Sequence, residues 1–231
     1  MKTIGLIGGM SWESSVEYYK IINEAVRAKL GGLHSAKCIM VSVDFAEIEP
    51  LQHQGRWDEA TQILIAASKS VEAGGADFVT FCTNTMHKVA DEVQKHLHIP
   101  ILHIADATAQ AIKTEGLKKV GLLGTRFTME EDFYKGRLSQ KHYLEILIPN
   151  VEDREVVHRI IYDELCMGET KTSSKTKYMD IIDRLAKKGA EGIILGCTEI
   201  GLLVKKEDTR VPLFDTTKIH AIAAVEYALE P

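Results

Sequence analysis

The sequence predicts an α/β protein made of two pseudo-symmetric α/β lobes with parallel sheets. Three observations carry this. Short apolar runs alternate with helical patterns from end to end, the runs lack polar alternation, and the first half recurs in the second. A strand covered on both faces needs no alternation, which is the mark of a parallel sheet between helices.

Strands are expected at 3–8, 38–44, 77–82, 99–104, 119–124, 143–148, 192–196 and 212–214. Helices are expected between them. The first covers 14–30, where Val16, Tyr19, Ile22, Val26 and Leu30 recur at three- and four-residue steps. Residues 57–73, 86–96, 106–115, 152–166, 174–187 and 216–229 read the same way. Strand–helix alternation of this kind joins parallel strands by right-handed crossovers.

The repeat is legible in two places. "KTIGLIGG" at 2–9 superposes on "KKVGLLGT" at 118–125 with an offset of 116, and "GADFVTFCTNT" at 75–85 on "GAEGIILGCTE" at 189–199 with an offset of 114. Two matches in the same order at nearly the same offset imply an internal duplication. The expected division is one lobe over 1–98 plus 209–231 and another over 99–208. The final strand and helix are expected to cross back and complete the first lobe.

With 231 residues, 45% hydrophobic and 26% charged, the composition is that of a soluble globular protein. A net charge of −5 and the lack of a Lys/Arg stripe speak against nucleic acid as a partner. No apolar run approaches a membrane span, and the N-terminus enters a strand pattern at once, so a cytoplasmic location is expected. The four cysteines, Cys38, Cys82, Cys166 and Cys197, form no CxxC pair. They are expected as free thiols, and no zinc spacing, HExxH or phosphate loop is present, so no metal site is expected.

Chemistry concentrates at "FCTNTMH", 81–87, and "GCTE", 196–199. Both follow a strand, where α/β sheets bind ligands. The register aligns Thr83, not Cys82, with Cys197, and Asn84 with Thr198. Two lobes related by a pseudo-two-fold would present Thr83 and Cys197 to one cleft, and strand alternation would turn Cys82 into its own lobe. A lone Cys-Thr pair after a strand also reads as a packed thiol and a helix cap. The paired occurrence puts the two readings level. The turn "IGGMSWESS", 7–15, opens a helix whose free N–H groups suit an anion, with Ser11, Ser14 or Ser15 as cap. It reads equally as a plain strand–helix turn. Asp44 and Asp215, at strand ends, are cleft groups or caps, and His87 and His103 are the histidines nearest the expected cleft.

"GLIGGMSWESS", "CTNTMH" and "GCTEI", supported by "LGGLHSA", "LLGTRFTMEEDFY" and "LFDTT", resemble the aspartate/glutamate racemase family over the whole chain. The resemblance implies two Rossmann-like lobes with the active site in the cleft between them, usually in a homodimer. It implies a small amino-acid substrate, aspartate or glutamate, and catalysis without pyridoxal phosphate or another cofactor. Family members use two cysteines, one base and one acid, on opposite faces of a planar carbanion. The matching donor positions are Met10, Ser11, Asn84, Thr85 and Thr198, with Gln52 as a further substrate-binding candidate. Arg56 and Arg126 are candidates for a second carboxylate or plain surface charges.

The chain departs from the family at one catalytic position, since Thr83 stands where the first cysteine would be. A hydroxyl is a far weaker acid than a thiol, whose unperturbed pKa is about 8.5. The expectation is an unequal enzyme. Cys197, ionised by helix-terminal dipoles and neighbouring donors, abstracts the Cα proton from one enantiomer, and Thr83 returns a proton on the other face through water or His87. Rival expectations are decarboxylation, maleate isomerisation or hydantoin racemisation on the same scaffold, or a small-molecule binder with little catalysis.

Overall fold

The computed structural model of the chain describes residues 1–230; Pro231, the last residue of the expected first lobe, lies outside them. The elements run β1 (Ile4–Gly8), α1 (Trp12–Leu30), β2 (Cys38–Ser42), α2 (Phe45–His53), α3 (Trp57–Ala73) and β3 (Phe78–Phe81). A 3₁₀ turn (Thr85–Val89), α4 (Ala90–Gln94) and α5 (Ile104–Thr114) follow, then β4 (Lys119–Gly124), α6 (Arg126–Glu130) and α7 (Asp132–Gly136). Next come β5 (Glu145–Leu147), α8 (Val151–Asp163) and α9 (Thr172–Lys187), and last β6 (Gly192–Gly196), α10 (Ile200–Leu203), β7 (Leu213–Asp215) and α11 (Thr216–Leu229). Among the described residues, no helix is long and apolar enough to cross a membrane.

Two parallel sheets form, ordered β2-β1-β3 and β5-β4-β6-β7. The α/β class with parallel sheets is therefore as expected. The chain divides into a first unit of 1–104 plus 220–230 and a second of 105–219. This moves the division from 98/99 to 104/105 and from 208/209 to 219/220.

The reason lies in the fourth strand position. In the first sheet, segment 99–104 occupies it, but as a single bridge, Val79 to Ile101. Pro100 has no N–H to give, and α5 already begins at Ile104. Its counterpart in the second sheet is β7, paired with β6 from Ile193–Leu213 to Leu195–Asp215. The final strand thus completes the second sheet, and only the helix after it returns to the first unit.

In the first unit, strand alternation divides the core. Ile4, Leu6, Phe78 and Cys82 pack with Tyr18, Ile22 and Val26 of α1 and with Ala221, Ala224 and Val225 of α11. On the other face Ile7, Val79 and Phe81 pack with Ile48, Leu64, Val71 and Met86. The apolar stripe of α1 differs from the expected one. Ile22 and Val26 are buried, whereas Val16, Tyr19 and Leu30 are exposed and Ser14, Ser15 and Tyr18 face inward. Those inward polar groups are satisfied: the Tyr18 hydroxyl lies 2.8 Å from His220 Nδ1, and Ser14 and Ser15 donate to the Ser11 carbonyl.

In the second unit the central strands β4 and β6 run in register from Val120–Gly192 to Gly124–Gly196. Their buried Val120, Leu122, Ile193, Ile194 and Leu195 sit beneath apolar faces supplied by Val157, Ile160 and Ile161 of α8 and Ile181, Ile182 and Leu185 of α9.

Candidate active site

In the first unit the expected residues gather at the carboxyl ends of β1 and β3. Beyond β1, Gly9 adopts φ 92°, and a Cβ there would run into the Val43 carbonyl, so the turn requires glycine. Its N–H, one of those expected to await an anion, donates to Ser15 Oγ at 2.8 Å. Ser11 is the N-cap of α1 by backbone geometry, with no side-chain cap bond. Ser14 Oγ donates to the Cys82 carbonyl at 3.1 Å, which ties the first turn of α1 to the end of β3. Met10 is buried in the apolar cluster that contains Ile7, Ile48 and Met86. Gln52 reaches in from α2, where its Nε2 approaches Met86 Sδ at 3.0 Å.

Thr83, Asn84 and Thr85 follow β3 and are all buried. Cys82, one residue earlier, is a core residue, and burial pushes its thiol pKa far up. His87 does not fit the expected role of proton shuttle. Its Nδ1 lies 2.8 Å from the Thr83 carbonyl, which can only accept, and its Nε2 accepts from the Ile104 N–H at 3.2 Å. Both nitrogens are engaged by backbone, so the ring is held as the neutral Nδ1–H tautomer. Burial first, then the neighbouring His103 and His220, push its pKa well below the usual imidazole range. Its ring centroid lies 4.5 Å from that of His103 and 5.7 Å from that of His220.

In the second unit, Cys197 and Thr198 directly follow β6, whereas Cys82 stands between the end of β3 and Thr83; the repeat register pairs Cys82 with Gly196. Cys197 is 8% exposed. Its thiol donates to Glu199 Oε2 at 2.9 Å, and Thr198 Oγ1 donates to the same oxygen at 3.0 Å. The Thr198 carbonyl accepts from Thr217 Oγ1 at 3.1 Å, which anchors the turn to α11. The thiol is not held ionised, as expected from helix dipoles. Burial first, and then the negative charge of Glu199, push its pKa well above the ordinary value. The α10 helix beyond it has only four residues, Ile200–Leu203, too short to oppose those effects. Glu199, 2% exposed, belongs to the polar cluster of the motif, but the motif reading gave it no role. The repeat register held the signal, because Glu199 takes the position of Thr85.

The remaining candidates are surface or capping groups. Arg56 pairs with Glu59 at 2.6 Å, and Arg126 lies 3.8 Å from Glu155, both exposed. Asp44 caps α2 through the Ala46 N–H, and Asp215 accepts from the Thr217 and Lys218 N–H groups at the start of α11. Among the described residues, no group of three or more His, Cys, Asp or Glu is placed to hold a metal.

Each unit holds a parallel sheet with a polar turn beyond its central strands, the arrangement of a duplicated α/β protein. The profile of the Asp/Glu/Hydantoin racemase family matches residues 7–224, and the chain belongs to that family. Among curated relatives, the broad specificity amino-acid racemase of Bacillus subtilis strain 168 is 25% identical over 188 residues, covering 76% of this chain and 74% of that one. A Yersinia pestis protein, provisionally described as an Asp/Glu racemase, has a crystal structure that matches at TM-score 0.92 and 56% identity. The crystal structure of an aspartate racemase homologue from Pyrococcus horikoshii OT3 matches at TM-score 0.86 and 39% identity. Both cover the whole of this chain and of their own. The chain is accordingly an isomerase of the racemase type.

Proposed function

We propose that the chain racemises a small acidic amino acid, aspartate or glutamate, without pyridoxal phosphate, as a cytoplasmic homodimer. Cys197 takes the Cα proton from one face of the substrate and Thr83 returns one to the other. The observation that carries this is the equivalence of Thr83 and Cys197 in the internal repeat, each buried in the turn beyond the corresponding strand. Racemisation needs an acid and a base on opposite faces of a planar carbanion, and duplication supplies two such positions. With no electron sink, donors must stabilise charge on the substrate carboxylate, and Ser11, Asn84, Thr85 and Thr198 are the groups we assign to that task.

A hydroxyl at one position and a thiol at the other make the two directions unequal. Incubating L- and D-aspartate and L- and D-glutamate separately in D₂O, with Cα deuterium and chirality followed together, tests the reading. Inversion should be markedly faster from one enantiomer. Equal turnover from both would remove the unequal pair, absence of exchange would remove the racemase, and exchange without inversion would favour one-base carbanion chemistry.

A further inference from the structure

A thiol attacks a C–H bond only as thiolate, yet the second unit holds Cys197 as a thiol. The groups around it deepen the difficulty. Cys166 in the turn Leu165–Met167, Glu164 at the end of α8 and Tyr178 on α9 all interact electrostatically within this cluster, and each is neutral or negative. The Tyr178 hydroxyl donates to the Val157 carbonyl at 3.3 Å, and a neutral phenol is far too weak a base to take a proton from a thiol. Releasing the Cys197 proton to solvent would leave two negative charges side by side in a buried site, which is costly.

The acceptor in contact with the thiol proton is Glu199 Oε2, at 2.9 Å. We propose that Glu199 acts through Cys197 as the acceptor of its thiol proton when Cys197 turns to the substrate. The S–H bond breaks, the proton passes to Oε2, and sulfur keeps the electron pair. The pair's net charge is unchanged, so the transfer creates no new buried charge, unlike ionisation to solvent. Thr198, donating to the same oxygen at 3.0 Å, fixes where the carboxylate points. Glu199 is in this sense a positioning residue, and the first unit has Thr85 in its place. The inference rests on the reading of Cys197 as the proton-abstracting group.

The test uses the thiol itself and needs no substrate. The full chain is labelled with iodoacetamide at a series of pH values, quenched, unfolded and mapped by mass spectrometry, so that the rate is read on the peptide bearing Cys197 alone. Hydrogen peroxide, little larger than water, is run in parallel as a probe for this nearly buried sulfur. With Glu199 as internal acceptor, the reactive form carries the same number of protons as the resting form. The rate should therefore be flat between about pH 6 and about pH 8. In Glu199→Gln the proton must go to solvent, and the rate should climb about tenfold per pH unit. Glu199→Asp should restore part of the plateau. A tenfold-per-unit climb in the unaltered chain would overturn the proposal without need of any variant. A flat profile in a chain that exchanges no Cα proton would leave the transfer standing and remove the racemase reading. A steep profile in an active racemase would overturn the transfer alone.

Discussion

His87 Nδ1 donates to the Thr83 carbonyl at 2.8 Å while its Nε2 receives the Ile104 N–H at 3.2 Å. One buried ring therefore fixes the backbone of the residue we assign as proton donor and pins the start of α5. Replacing His87 with Ala leaves a buried carbonyl and a buried N–H without these partners. Each such loss costs about 1–3 kcal/mol, so a destabilisation of about 3 kcal/mol is expected in urea unfolding. Turnover should fall alongside stability because Thr83 loses its support.

The same cluster predicts an acid limit. Burial lowers the His220 pKa to about 4, below the ordinary imidazole value of about 6.5, and His87 is lowered as well. Imidazoles with depressed folded values bind fewer protons folded than unfolded at mildly acid pH. Stability is therefore complete above about pH 6.5 and falls as pH drops toward about 4. His220 alone accounts for about 3 kcal/mol over that window. His103, in ring contact with His87, and Tyr18, bonded to His220, are the other titratable groups in the cluster. Urea midpoints at neutral pH and near pH 5 should differ clearly, and the gap should shrink in His220→Asn. A pH-independent midpoint would contradict this account.

The cysteines separate by role. Cys197→Ala should abolish Cα exchange, whereas Cys82→Ala should keep most of it and lose about 1 kcal/mol of stability through the small core cavity. Thr83→Cys should make the rates from the two enantiomers more alike, and chiral chromatography of each reaction reads the ratio.

Gly9→Ala should be severe. The added methyl meets the Val43 carbonyl in a backbone conformation that L-residues rarely adopt, and a cost of about 3 kcal/mol or more is expected in thermal or urea unfolding. Gly55→Ala, also at positive φ but with open space around it, should cost only about 1 kcal/mol, so the pair separates steric collision from backbone strain.

Much of the architecture was legible because its signals are local. Helices 57–73 and 216–229 are found at the expected bounds, since long periodic patterns outweigh single residues. The α2 helix was not, because Pro50 sits inside it and reads as a breaker. The stripe on α1 shifted because two serines and a tyrosine are buried there and satisfied by the Ser11 and Cys82 carbonyls and by His220, which periodicity does not register. The assignment of the last strand depended on which sheet had its fourth position vacant. At the site, the repeat placed Thr83 and Cys197 in equivalent positions. The ionisation of Cys197 was misjudged, since that depends on a carboxylate two residues away and on burial rather than on a helix dipole.

The placement of α11 has a consequence for the order in which the chain acquires structure during synthesis. Ala221, Ala224, Val225 and Ala228 cover Ile4, Leu6 and Phe78, strand residues from about the first third of the chain. Tyr18, Ile22 and Val26 of α1 cover part of that apolar face early, but the part under α11 stays bare while the intervening stretch is translated. The second sheet, by contrast, draws all its strands from the contiguous stretch 119–215. The half of the duplication made later is thus equipped to mature earlier, and the nascent first half must be sheltered until its closing helix arrives.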